Sequence, residues 1–334
     1  MTAAPPQHPN LGPMPPKPGL LTVLRNRDFL ALWLSQVLSQ LADKIYLVLT
    51  IAIITDYFQR PGESINGWVG AVMVVFTIPA VFLGSVAGVY VDRWQKRTVL
   101  MATNLLRGLL ILALPAGLWV GQALLGPAGG FIALLITTFA ISTLTQFFAP
   151  AEQAAIPLII PAGQLIPANS LYTTSMMGAL IIGFAVGEPL LALANHLLPG
   201  QNGPEWVVAT AYLLAGFTIL GVRTGEKPHP RHDEPLHLWQ DLREGFSLLQ
   251  KQPRLRVAVV LLVILFSVFA ALAFLAVRLA EVMPELNTAQ FGYLLAVAGL
   301  GMGVGAAILS QNHREPQGGS LYRLGFLGMA ICLL

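Results

Sequence analysis

The sequence predicts an all-α, polytopic transmembrane helical bundle, and three observations carry that prediction. Of 334 residues, 55% are hydrophobic and only 10% are charged, against about 25% charged in a soluble globular domain. Apolar stretches recur at or above the length of about 20 residues that one bilayer crossing needs. The basic residues gather in alternate connecting segments, which is the charge signature of a multi-pass membrane protein. This composition excludes an ordinary soluble enzyme and a disordered chain. The net charge of +3 resides in loops rather than on one basic face, so it does not point to nucleic acid. A single cysteine, Cys332, leaves no internal disulfide.

In chain order, residues 1–24 are proline-rich and lack the apolar core of a secretory signal, which predicts a disordered cytoplasmic tail. Spans are expected near 29–57, 68–91, 98–120, 131–156, 168–197, 205–222, 256–282 and 289–310. A ninth apolar stretch starts near Leu321. By Leu334 it would reach only about 20 Å as a helix, short of the hydrocarbon thickness of about 30 Å. The chain therefore reads as about eight and a half spans. The charged connection 223–253 divides it, and its residues Leu238, Leu242, Phe246 and Leu249 fall on one helical stripe. The predicted organisation is a six-helix bundle over 25–222, a cytoplasmic linker with an amphipathic helix over 223–253, and an incomplete second bundle over 254–334.

Loop charge sets the orientation. Lys17, Arg25, Arg27, Arg93, Lys96, Arg97, every lysine and arginine of 223–256, Arg314 and Arg323 fall on one side, and Arg60 and Arg278 on the other. The positive-inside rule then places the N-terminus in the cytoplasm.

Between the second and third spans the chain reads Gly88, three residues, Asp92-Arg93, then Lys96-Arg97. A glycine lets helices approach closely, and the carboxylate and cations can form charge-assisted contacts between helix ends. This pattern resembles the loop motif of the major facilitator superfamily, with Gln95 where that family usually has glycine. Further stretches join it: Asn26-Arg27-Asp28-Phe29 at the first span, Phe148-Ala149-Pro150-Ala151-Glu152 and Pro161 to Leu171 between the fourth and fifth, Glu244-Gly245-Phe246 and Pro253-Arg254 before the seventh, and Phe291-Gly292 at the eighth. As a set they are similar to the branch of the superfamily that holds enterobactin and macrolide exporters. The resemblance implies two six-helix bundles of inverted three-helix repeats, with a gating motif at Gly88, Asp92, Arg93, Lys96 and Arg97. In the fifth span Gly178, Gly183 and Gly187 precede Pro189, which resembles the glycine-proline motif of the superfamily's antiporters. These residues are expected to serve helix packing. The sequence departs from that motif by placing Glu188 between glycine and proline.

Ionisable residues inside spans are costly and are functional candidates by default. Five occur: Asp43, Lys44, Arg107, Glu152 and Glu188. Gln36, Gln40, Asp43 and Thr50 share one face of the first span, and Thr138, Ser142, Thr145 and Glu152 one face of the fourth. Polar stripes of this kind are expected to face a wet cavity. Asp43 lies about 21 Å along its helix and Arg107 about 14 Å along its own, a gap that an arginine can bridge, with Asn104 one turn away. Glu152 matches Arg93 and Arg97 in depth and is expected to complete the gating cluster. Glu188 stands about 30 Å along its helix from Ala168, toward the outer side, as a candidate for proton or cation binding. Phe266, Phe269 and Phe274 are candidates for an apolar wall.

The function these readings imply is proton-coupled export of an amphipathic small molecule, drug- or siderophore-like, by alternating access, with Asp43 or Glu188 expected to exchange protons. The alternative is an incomplete, non-transporting or regulatory portion of such a transporter. No nucleophile–base or HExxH pattern and no phosphate-binding loop is present, so neither enzyme chemistry, metal nor cofactor is expected. The partners implied are membrane lipid, a small-molecule substrate and protons, and the expected location is a bacterial inner membrane.

Overall fold

The computed structural model describes residues 20–60, 64–198, 200, 202–226, 247, 250–283, 286 and 288–311. The tail, the amphipathic helix expected over 236–250 and the stretch from Leu321 lie outside them, apart from 20–24, 247 and 250. A short helix α1 (Leu20–Leu24) leads into α2 (Arg27–Ile53), which continues as one wider π-turn through Phe58. There follow α3 (Asn66–Arg93), α4 (Lys96–Leu125), α5 (Pro127–Ile159), α6 (Leu165–Leu197), α7 (Gly203–Thr218), α8 (Pro253–Val282) and α9 (Phe291–Gln311). Among the described residues, six helices, α2 to α7, are long and apolar enough to cross a membrane.

Local chemistry sets the boundaries. Asn26 caps α2 by accepting from the amides of Asp28 (3.0 Å) and Phe29 (3.2 Å), satisfying donors that a helix start leaves orphaned. Its amide nitrogen also donates to Ile159 O at the end of α5. Gly126 alone separates α4 from α5, and its φ of 67° is a conformation open to glycine at no steric cost. Just inside that turn, a Cβ at Gly121 would strike the backbone of Gly129, so the two helices leave the turn in backbone contact. The turn between α3 and α4 needs no glycine: Trp94 and Gln95 both have negative φ, −97° and −64°. The departure at Gln95 is therefore accommodated without strain.

Helix pairing is regular. α2 packs on α6 and α7, α5 packs on α3 and α4, and α4 packs on α7. Exchanging α2 with α5, α3 with α6 and α4 with α7 returns the same set of pairs. The helix ends at Arg27, Arg93, Lys96 and Ile159 form a basic end, and those at Phe58, Asn66, Leu125 and Leu197 the opposite end.

The apolar core of α2–α7 is split in two. One cluster, around Phe29, Leu100, Phe148 and Ile156, sits toward the basic end. A larger one, around Ile45, Ile111, Ile141 and Tyr212, extends to the opposite end. Between them Ser35, Gln36, Ser39, Asn104, Arg107, Ser142 and Glu152 are all buried. Buried polar groups cost free energy unless each finds a partner, and this layer is where those partners must be found.

The α8–α9 pair meets the six-helix unit at the opposite end. Ile65 N and Ser64 Oγ donate to Glu281 on α8 (3.2 and 3.3 Å), which also accepts from Arg278 (2.7 Å). Phe274 lies 3.9 Å from the place of a Cβ on Gly70. A Cβ on Gly292 would collide with the carbonyl oxygen of Phe184, so α6 and α9 touch through their backbones. Toward the basic end the relation changes. Every side chain of α8 from Leu255 to Val260 is exposed, so this part of the helix stands away from the six-helix unit.

Candidate functional site

The polar layer centres on Arg107. Its guanidinium pairs with Asp43 (Nη1 to Oδ1, 3.2 Å) and donates to Ser39 Oγ (2.9 Å), Asn104 Oδ1 (2.6 Å) and Thr145 Oγ1 (3.4 Å). Asn104 in turn donates to Ser35 Oγ, which donates to Ala215 O. Two aromatic faces enclose the cation, Phe148 at 4.7 Å and Tyr212 at 4.8 Å from the guanidinium carbon. Such stacking is strongest in desolvated sites. Tyr212 also donates its hydroxyl to Asp43 Oδ1 (2.5 Å). The structure thus brings together Asp43, Arg107 and Asn104, the residues paired from helix depth. It adds Tyr212, which the sequence reading missed because a tyrosine in an apolar span gives no charge signal.

A second focus lies one layer away. Tyr172 donates to Glu152 Oε2 at 2.7 Å, while Oε1 of the same carboxylate has no hydrogen-bond partner among the described residues. Glu152 is 1% exposed and within electrostatic reach of Arg107 and Asp43. The sequence reading expected Glu152 beside Arg93 and Arg97. The structure places it with Tyr172 on α6 instead, because depth along a helix does not fix the direction a residue faces. Gln36 joins this region: its amide lies 3.5 Å from Tyr172 O, and Ser175 Oγ, 3.1 Å from Gln36 Oε1, accepts from Trp33.

The stripe on α5 does not line open water. Thr138 bonds Tyr46 on α2 (2.8 Å), Ser142 donates to Phe76 O on α3, Thr145 accepts from Arg107 on α4, and Glu152 accepts from Tyr172 on α6. Each polar side chain bonds to a different neighbouring helix, with Glu152 engaged through one oxygen only. The stripe on α2 divides. Gln36 and Asp43 are engaged as above, and Thr50 bonds back to Tyr46 O. Gln40 makes no hydrogen bond among the described residues.

The loop motif is arranged differently from the expected mutual cluster. Lys96 Nζ pairs with Glu226 (3.2 Å) and donates to Asp92 O, and the Lys96 amide donates to Glu226 Oε2. Arg97 donates to Leu220 O at the end of α7. The Asp92 side chain is exposed and makes no hydrogen bond or ion pair among the described residues. Nothing described comes within 4 Å of a Cβ placed on Gly88, so the close approach expected there is not seen. Arg93 is exposed. Trp94 stacks on Phe147 (6.0 Å, 19°).

On α6, Gly183 and Gly187 pack against α2: a Cβ at Gly183 would fall 2.7 Å from Lys44 Cβ, and one at Gly187 3.0 Å from Val48 Cγ2. The same test at Gly178 meets nothing within 4 Å. The helix runs on through Pro189 to Leu197. Glu188 accepts from Tyr293 of α9 at 3.4 Å. It also lines a cavity of about 310 Å³ at the opposite end, shared with Asp56, Tyr57, Asn195, Asn202 and Glu205. Among the described residues no group of histidine, cysteine or carboxylate side chains has metal-binding geometry. Of the phenylalanines proposed as an apolar wall, Phe274 packs beside the core, and the side chains of Phe266 and Phe269 lie outside the described set.

The sequence profile of the Major Facilitator Superfamily matches residues 32–334. An uncharacterized MFS-type transporter of Mycobacterium tuberculosis is 34% identical over 146 residues, 44% of this chain and 30% of that protein. The multidrug efflux pump Tap of the same species is 26% identical over 198 residues, 57% of this chain and 44% of the pump. An uncharacterized MFS-type transporter of Bacillus subtilis is 23% identical over 293 residues, 84% of this chain and 63% of the relative. The chain thus spans less than two thirds of the length of each of these relatives.

Proposed function

This chain belongs to the Major Facilitator Superfamily as a multi-pass membrane protein of the transporter class, and on that premise we propose that it exports an amphipathic small molecule in exchange for protons. The basic end then faces the cytoplasm, as the loop charges favour, in a bacterial inner membrane. The arrangement of α8 supports an inward-open state: joined to α3 at the outer end through Glu281, free of the six-helix unit at the inner end. Rocking about the outer contact would alternate access. The loop motif would lock one of the two states, with Lys96 and Arg97 holding the inner end of α7.

The observation that carries proton coupling is Glu152. Among the described residues its buried carboxylate is hydrogen-bonded through one oxygen only and has no cation paired to it. Asp43 is held by Arg107 and Tyr212. Glu152 is therefore the group free to take and release a proton as the helices move. Glu188, at the α6–α9 contact, is the second candidate. The name of the Tap relative, a multidrug efflux pump, favours export and a drug-like substrate.

The test uses the natural full-length protein in liposomes that enclose a pH-sensitive dye. A panel of cationic, neutral and anionic amphiphiles is added in turn. At least one is expected to drive proton movement. Glu152→Gln is expected to abolish that movement while keeping substrate counterflow. No proton movement with any member of the panel would overturn the proposal.

A further inference from the structure

Lys44 is the intramembrane charge that the network above does not use. It sits 17 residues into α2, about 26 Å from the basic end, too deep for its side chain to reach either membrane surface. The residue is half-buried and makes no hydrogen bond or ion pair among the described residues. Its stem lies on α6 against Gly183. The next residue of α6, Phe184, is the one whose backbone touches α9 at Gly292, and the segment Thr288–Gln290 reaches α2. Lys44 thus occupies the edge of α2 beside the junction where the six-helix unit meets the α8–α9 pair. Gln40, one turn earlier on the same face, is likewise half-buried and makes no hydrogen bond among the described residues. Asp43, the neighbouring carboxylate, is turned away and committed to Arg107 and Tyr212.

An ammonium at this depth is expensive unless it meets water or an opposite charge. Here no opposite charge meets it among the described residues, and its edge borders the junction between the six-helix unit and the α8–α9 pair. We propose that Lys44, with Gln40 beside it, is the counter-charge for an anionic group on the transported molecule, so that the substrate class is an amphiphile bearing a carboxylate or sulfonate. Lys44 provides three donors to the anion and Gln40 a fourth polar contact. This rests on the transport reading above and narrows it.

The probes are 1-naphthaleneacetate and 1-naphthaleneacetamide, which share one ring system and differ in the charged group. Binding is measured to the full-length protein in lipid nanodiscs. The wild type is expected to bind the carboxylate more tightly than the amide. Lys44→Gln should weaken the carboxylate about tenfold or more, the size of one lost charge-assisted hydrogen bond, and leave the amide unchanged. Lys44→Arg should restore most of the difference. If the wild type does not prefer the carboxylate, the proposal fails. It fails equally if Lys44→Gln weakens both probes alike while lowering the melting temperature, since Lys44 would then be structural. Proton movement driven by the amphiphile panel but independent of Lys44 would overturn the anion site and leave the transport reading standing.

Discussion

Arg107 and Asp43 lie 3.2 Å apart, yet burial divides them: the arginine side chain is 0% exposed and the aspartate side chain 18%. The cation is enclosed by Phe148 and Tyr212, whereas the carboxylate retains an accessible edge. The pair is anchored by its arginine.

Arg107→Met should therefore cost more stability than Asp43→Asn. Removing one partner of a buried pair typically costs about 3–5 kcal/mol, and the arginine change also ends both aromatic contacts. The asparagine keeps an acceptor for Arg107 and Tyr212. Thermal unfolding of the two variants in detergent checks the order, and a larger loss for Asp43→Asn would contradict it.

Tyr172→Phe removes the hydrogen bond that Glu152 receives at 2.7 Å. A buried acceptor left unsatisfied costs about 1–3 kcal/mol. The same substitution in a Glu152→Gln background should cost less, giving a coupling energy of about 0.5–3 kcal/mol in the double-mutant cycle. Strictly additive losses would show that the two side chains do not interact.

Gly292→Ala should separate α6 from α9. The added methyl meets the carbonyl oxygen of Phe184, and a helix backbone cannot swing aside as a side chain can. Cysteines replacing Glu188 and Tyr293, whose side chains meet at their tips, should be bridged less efficiently by a bifunctional thiol reagent in that variant. Gly178→Ala, in open space, should leave the yield as in the parent. Equal yields in both would argue against backbone contact.

Glu281→Ala should loosen the contact between α8 and the start of α3. The carboxylate receives Ile65 N, Ser64 Oγ and Arg278, and losing one charge-assisted bond is worth about tenfold in a two-state balance. A cysteine at Gly70, facing Phe274, should react about tenfold faster with a membrane-impermeant maleimide. An unchanged rate would mean that the contact is held elsewhere.

The helical architecture was legible because spanning length and loop charge depend on composition alone. The Asp43–Arg107–Asn104 group was legible because helix rise converts position into depth, and an intramembrane charge must meet its opposite at similar depth. Rotation about the helix axis was not. Glu152 and Arg93 match in depth, but Glu152 faces Tyr172. The polar stripe on α5 was correctly placed on one face, yet its four members reach four different helices, which a periodicity cannot reveal. Tyr212 and Phe148, the walls around Arg107, read as ordinary apolar positions. Cation–aromatic stacking leaves no mark in a one-dimensional pattern.

The sequence distances within the Arg107 network set a timetable during synthesis. Asp43 precedes Arg107 by 64 residues and Tyr212 by 169. At about 5–20 residues per second, the carboxylate emerges from the ribosome about 3–13 s before its guanidinium and about 8–34 s before its phenol. For that interval Asp43 lacks both of the partners that hold it in the finished bundle. Its settled place in the bilayer is reached only when the third and sixth spans arrive, so the first span to be translated is among the last to be completed.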